Sequence, residues 1–278
     1  MTDLSQWVGR NQKSQDVITL GGVKRFFAAL DIDIPSDLEE KGIAPYGYHW
    51  CLCLPDSPMS ELGVDGHPKK GGFLPPVELP RRMWAASEVE FFSALPIGSE
   101  ITRHSQIASV KEKTGKTGVL VFVEVDHQTE VDGQCAIKER QTIVYREAAV
   151  DPTPLPKANA NRPEGWQVVQ ELLPTTPMLF RYSALTFNSH RIHYDLSYAQ
   201  EQEMYPELVV HGPLMATLAL QLAAANGELD KFSYRGMSPA FCNQTLYMAA
   251  NFDDRTGELS AIGADGRQCL TAQASYSS

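Results

Sequence analysis

The stretch RYSALTFNSHRIHYDLSYAQEQEMYPELVVHGPLMATLALQLAAAN (residues 181–226) sets His190, His193, Asp195 and His211 just ahead of the most apolar helical segment of a 278-residue chain. From Leu214 to Ala225 every residue but Thr217 and Gln221 is apolar, with neither Gly nor Pro, which predicts a helix buried on most of its sides. Gly212 lets a backbone N–H come close to a ligand, and Pro213 suits the first helical position, where its missing N–H costs nothing. Asn226-Gly227 is the predicted end. A buried helix opened by glycine offers free N–H groups and the positive end of a dipole, which suits a carbonyl oxygen that gains negative charge in a reaction.

Upstream, Asn188, His190, His193 and Asp195 lie within eight residues, in a segment too polar to read as core. His193 is the best base, because an imidazole can both take and give a proton near neutral pH. Asn188 can hold a water or a carbonyl but cannot accept a proton from either. The competing reading is a surface loop with two solvated histidines, or one that caps a helix through Asp195. A metal centre of His190, His193 and His211 is not expected: HxxH on a loop lacks the i, i+4 spacing of zinc proteases, and no Cys or Glu completes the set.

With 43% hydrophobic residues the chain can bury a full core, as one large domain or two of about 130 to 140 residues. A net charge of −10 argues against nucleic acid or membrane as the principal partner, and an anionic ligand would need a local basic patch. The five cysteines have no paired spacing, and Cys51 and Cys53 fall at alternate positions of an apparent strand, YGYHWCLCL. Free thiols in a reducing compartment are the default. The N-terminal residues lack a signal core and no run approaches a membrane span, so the expected place is the cytoplasm.

Residues 16–30 read as a helix, and 35–80 as a Pro- and Gly-rich passage whose loop DGHPKKGGFLPP is long enough to be a functional or covering element. SEITRHSQIASVKEK, VLVFVEVDHQTEV and QCAIKERQTIVYRE have period two and form an antiparallel meander. The Pro-, Asn- and Ala-rich segment 148–165 reads as a linker between a unit at 1–147 and a unit at 166–278. A helix followed by a meander, twice, is an α+β pattern, and no GxGxxG or P-loop suggests a nucleotide cofactor.

The run from Leu185 to Ala199, followed by VVHGPL at 209–214, resembles the hydratase 2 motif of MaoC-like (R)-specific enoyl-CoA hydratases and dehydratases. Ile192, His193 and Ala199 fall in register with that motif, so the resemblance carries the family's catalytic His onto His193 and its oxyanion-hole amide onto Gly212. Two positions depart: Asn188 stands for the catalytic Asp, and His190 for the Asn. The form NxHRIHYD, with GGFLPPVELPRRMWAAS (residues 71–87) and QTIVYRE (141–147), resembles a distinct branch. It comprises the double hot-dog hydratases of mesaconyl-C4-CoA, 3-methylfumaryl-CoA and itaconyl-CoA, and the mitochondrial type 2 hydroxyacyl-thioester dehydratases.

The resemblance implies a tandem double hot-dog, each half an antiparallel sheet wrapped around a central helix, with only the 166–278 unit catalytic. It implies an enoyl-CoA hydratase or 3-hydroxyacyl-CoA dehydratase for a short branched dicarboxylic acyl-CoA, with no cofactor, since CoA is part of the substrate. His193 activates water, Asn188 orients it and the Gly212 N–H holds the thioester oxygen. His190 and Asp195 are candidates for orienting His193 or supplying a second proton-transfer group. Because Asn188 cannot shuttle a proton, a single base, His193, serving both half-steps on one face, is favoured. Arg81 and Arg82, in PRRMWAASEVEFF, are expected where HGPLMATLA lies in the second half and are candidate contacts for a substrate carboxylate or the CoA phosphates, the alternative being a solvated basic pair; Arg191, unless structural, and His211 are further candidate substrate contacts. The alternatives are a hot-dog thioesterase and a non-catalytic acyl-thioester-binding module. A homodimer is possible, although two fused units can already form the pair that single-unit relatives assemble.

Overall fold

Period-two sequence runs become the long strands of one sheet, in a computed structural model that describes residues 3–115, 118–158 and 162–277. The first half contributes β1 (Asn11–Val17), α1 (Leu20–Leu30), α2 (Leu38–Lys41), β2 (Ile43–Ala44), β3 (Arg81–Phe91), β4 (Leu95–Pro96), β5 (Glu100–Gly115), β6 (Gly118–Val131) and β7 (Gln134–Arg146). The second contributes β8 (Val168–Leu172), α3 (Thr176–Leu185), α4 (Leu196–Glu201), α5 (Gly212–Ala224), β9 (Leu229–Gly236), β10 (Leu246–Phe252), β11 (Thr256–Gly263) and β12 (Gln268–Tyr276). The ten-stranded sheet has the order β1-β5-β6-β7-β3-β9-β12-β11-β10-β8, and β2 pairs with β4 apart from it.

Each half is a hot-dog unit. The two join where β3 pairs antiparallel with β9, Ser87 opposite Tyr234 and Val89 opposite Phe232. Helix α1 is capped by the Thr19 hydroxyl, which accepts from the Gly22 N–H, and it turns Val23, Phe26, Phe27 and Leu30 inward. Helix α5 buries Leu214, Met215, Ala216, Ala219, Leu220, Leu222 and Ala223. One buried cluster holds Phe26 and Val89 of the first half with Leu214, Leu220 and Phe232 of the second. Truncating either fully buried leucine to Ala would cost roughly 2–5 kcal/mol. No helix among the described residues is long and apolar enough to cross a membrane.

Four local expectations fail. The helix expected over residues 16–30 begins at Leu20, because Asp16 and Val17 pair with Ile101 and Glu100 of β5. PRRMWAASEVEFF does not occupy the place of α5: it is β3, bonded on both sides by β7 and β9, and α1 is the helix of the first half. YGYHWCLCL is not a strand, because Tyr48–Cys51 form a 3-10 helix with all four side chains buried and Cys53 takes φ 52. Pro213 is the second residue of its helix, after Gly212.

Candidate active site

Three of the predicted histidines come together, and all are buried rather than solvated. His193 ends a 3-10 turn, Arg191–His193, and its Nδ1 lies 2.7 Å from the Val209 carbonyl oxygen. A carbonyl only accepts, so Nδ1 carries the proton and Nε2 keeps its lone pair. The ring stacks on that of His211, with centroids 3.6 Å apart and planes 19° from parallel. Burial pushes the His193 imidazole down to about 4, so it is uncharged at neutral pH.

His211 immediately precedes Gly212 at the mouth of α5, its Nε2 2.8 Å from the Ser183 hydroxyl of α3 and its Nδ1 buried without a partner. Burial, then His193, holds it well below the ordinary histidine range. His190 stands edge-on to His193, with ring centroids 5.4 Å apart, and its backbone N–H donates to Asn188 Oδ1 at 3.0 Å. Gly212 opens the helix, and a Cβ there would meet nothing nearer than the Trp84 carbonyl oxygen at 3.7 Å, so internal packing does not demand glycine.

Other predicted residues lie elsewhere. Asp195 does not reach His193: its Oδ1 caps α4 through the Tyr198 N–H and its Oδ2 accepts from Arg191 Nε and Nη2, at 3.0 and 2.7 Å. Arg191 is in turn a tie between halves, its Nη1 donating to the Val64 carbonyl at 3.1 Å and its backbone N–H to that of Asp65 at 2.9 Å. Arg81 is buried in an ion pair with Glu203 at 2.5 Å and lies over the Tyr205 ring. Its charge is matched inside the protein, which corrects the expectation that it meets substrate. Arg82 points the other way: it reaches the Pro68 carbonyl at 3.4 Å and its charge acts on Lys70, His67 and His190.

A metal held by His190, His193 and His211 is ruled out by the stack, since lone pairs in nearly parallel ring planes 3.6 Å apart do not converge on one ion.

The loop after residue 62 supplies what the sequence did not point to. Asp65 Oδ1 accepts from the His67 N–H and Oδ2 lies at His67 Nδ1, both at 3.0 Å, and the His67 ring lies 4.2 Å from that of His190. Donor atoms of Asp65, His67 and His190 all fall within 4.8 Å of one another. The one signal available was the length of DGHPKKGGFLPP.

The comparisons agree with this architecture. Residues 47–242 match the family model "hydroxyacyl-thioester dehydratase type 2". The chain is 38% identical over 272 residues to a mesaconyl-C(4)-CoA hydratase of Chloroflexus aurantiacus, covering 97% of this chain and 96% of that one. It is 31% identical over 231 residues to a mitochondrial hydroxyacyl-thioester dehydratase type 2 of Schizosaccharomyces pombe, covering 72% and 75%. A MaoC-like dehydratase from Phytophthora capsici superposes with a TM-score of 0.72 at 15% identity, covering 99% of this chain and 98% of that one, a likeness of fold. The chain belongs to the type 2 hydroxyacyl-thioester dehydratase family.

Proposed function

We propose that the protein is an enoyl-CoA hydratase, reversible as a 3-hydroxyacyl-CoA dehydratase, acting on a short branched dicarboxylic acyl-CoA such as mesaconyl-C4-CoA or itaconyl-CoA. The observation that carries this is the His193 imidazole, uncharged, fixed through Nδ1 and stacked on the residue that precedes the α5 glycine. A thioester polarises its conjugated alkene, so hydration needs a base for water, a donor for the enolate-like oxygen and a proton for C2. His193 Nε2 takes the proton from water, and the N–H of Gly212 holds the thioester oxygen. With Oδ1 held by His190, Asn188 has its Nδ2 for orienting the water. His211 and Ser183 position the base, and Asp195 acts through Arg191.

Arg82 and Lys70 support a dicarboxylic substrate. Both are half-buried and neither forms a salt bridge among the described residues; Asp65 acts on each from a distance, and burial followed by Arg82 still lowers the proton affinity of Lys70. Two neighbouring cations in that state favour an anion between them. The five free cysteines suit a reducing compartment, here the cytoplasm.

The test is a side-by-side assay of itaconyl-, mesaconyl-C4-, mesaconyl-C1- and crotonyl-CoA, read as loss of enoyl-thioester ultraviolet absorbance. Turnover should be fastest for a dicarboxylic thioester and absent in a folded His193→Ala variant. Wild-type rates in that variant would end the assignment, and release of free thiol would make the protein a thioesterase.

A further inference from the structure

An uncharged His193 takes one proton from water, and unless it hands that same proton on as the single base, the proton bound for C2 needs a second donor. The position that resembles the family's carboxylate is Asn188, which cannot supply it. The first half brings a carboxylate and an imidazole to the same place. The loop carrying them is built against the catalytic stretch: Gly66 has φ +88, and a Cβ on it would lie 1.9 Å from the Ser189 carbonyl oxygen. The Ser189 hydroxyl donates to the Gly66 carbonyl, and the Asp65 carbonyl accepts from the Arg191 N–H. Asp65 grips His67 twice, at its backbone N–H and at Nδ1, which fixes the ring and its tautomer and leaves Nε2 with no hydrogen-bond partner among the described residues. From His67 the rings continue through His190 to His193, at 4.2 and 5.4 Å between successive centroids.

We propose, resting on the hydratase reading above, that the Asp65–His67 pair is a second acid/base group of the site, which gives C2 of the substrate its proton while His193 takes one from water. In the hydration direction a water O–H bond breaks, its proton goes to His193 Nε2 and its oxygen bonds to C3. The C2=C3 electron pair moves toward the thioester as an enolate. The N–H bond at Nε2 of a protonated His67 then breaks as C2–H forms, and the proton held by His193 returns to His67 by way of His190, restoring both rings. Dehydration runs the same steps backwards.

The surroundings make this substrate-dependent. Burial lowers the proton affinity of His67, the Asp65 hydrogen bond raises it, and Arg82 and Lys70 lower it again. His190, on the catalytic stretch, faces the same ring. A substrate carboxylate seated on Arg82 and Lys70 cancels their share, so the fitting acyl group charges the acid that it needs.

The experiment compares wild type, His67→Gln and Asp65→Asn on the best enoyl-CoA of the panel, with thermal melting as the check on folding. His67→Gln should lower kcat about 100-fold or more, with KM changed less than about threefold, and should abolish the alkaline limb of the kcat–pH profile, where a protonated donor is lost. Asp65→Asn should move that limb to lower pH. A folded His67→Gln with kcat within about threefold of wild type overturns the proposal, as does a loss of rate with the alkaline limb unmoved. If His67→Gln does not fold, an alkaline limb unmoved in Asp65→Asn overturns it instead. Activity that is lost to a chelator and restored by zinc would replace the acid/base pair with a metal site. A wild-type protein that hydrates no enoyl-CoA would count against the hydratase reading, not against this step alone.

Discussion

The imidazole rings of His193 and His211 lie face to face, 3.6 Å between centroids, each held by one nitrogen: the first at the Val209 carbonyl, the second at the Ser183 hydroxyl. Charging both rings at that distance would cost on the order of 5 kcal/mol at an effective dielectric of about 20. The stack therefore excludes the doubly charged pair, and burial keeps His193 in the neutral form that can take a proton from water.

Stability should fall as the solution is acidified through the histidine range. The folded-state value of His193 is depressed from 6.5 to about 4, and His67, His190 and His211 are shifted in the same direction. Between those values the unfolded chain binds more protons, so stability rises with pH and is lost as pH drops from about 6.5 toward 4. His193 alone contributes about 3 kcal/mol over that window. Urea unfolding at pH 7 and pH 5 checks it, and equal midpoints would contradict the buried neutral assignment.

Ser183→Ala should destabilise the protein and slow it. The change leaves both nitrogens of the buried His211 without partners, at a cost of about 1–3 kcal/mol, and loosens the ring against which His193 is stacked. Thermal melting together with kcat would report both effects, and a variant indistinguishable from wild type in each would show that the hydroxyl is idle.

The adjacent arginines should separate cleanly. Arg81→Ala strands the buried Glu203 carboxylate and should cost about 3–5 kcal/mol of stability. Arg82→Ala should leave melting near wild type and raise KM for a dicarboxylic acyl-CoA more than for crotonyl-CoA. Equal increases for both substrates would move Arg82 from the acyl carboxylate to the CoA phosphates.

Two glycines should behave oppositely. Gly66→Ala collides with the Ser189 carbonyl at a left-handed position and should displace the Asp65–His67 loop, lowering both stability and activity. Gly212→Ala has room, with its nearest contact at 3.7 Å, so it should fold normally and lose activity only if a substrate oxygen approaches that N–H closely. Crystal structures or melting curves of the two variants, beside kcat, would distinguish the cases.

Much of this was legible locally. Helix α5, its Gly-Pro entrance and the meanders are written in runs of neighbouring residues, where a period of 3.6 or 2 reports the element directly. His193 could be picked out because imidazole chemistry and a motif lie on one short segment. The burial of His190, His193 and His211 was not legible, since a polar stretch reads as wet until the partners that cover it are known. Nor was the strand at β3: Arg-Arg-Met-Trp-Ala-Ala tolerates a helix, and only hydrogen bonding to β7 and β9 on both sides settles it.

By itself the sequence determined the α+β plan, the apolar helix with glycine at its mouth and the candidate imidazole at position 193, because these depend on residues within one or two turns of each other. Only the tertiary structure decided that Arg81 faces Glu203 while Arg82 faces the site, because consecutive strand residues point to opposite sides and the pattern does not say which side holds the chemistry. It also decided that Asp65 and His67 reach His190, as a contact between segments more than a hundred residues apart depends on the joining of the two halves, at β3 and β9, in one sheet and leaves no periodic trace in the chain.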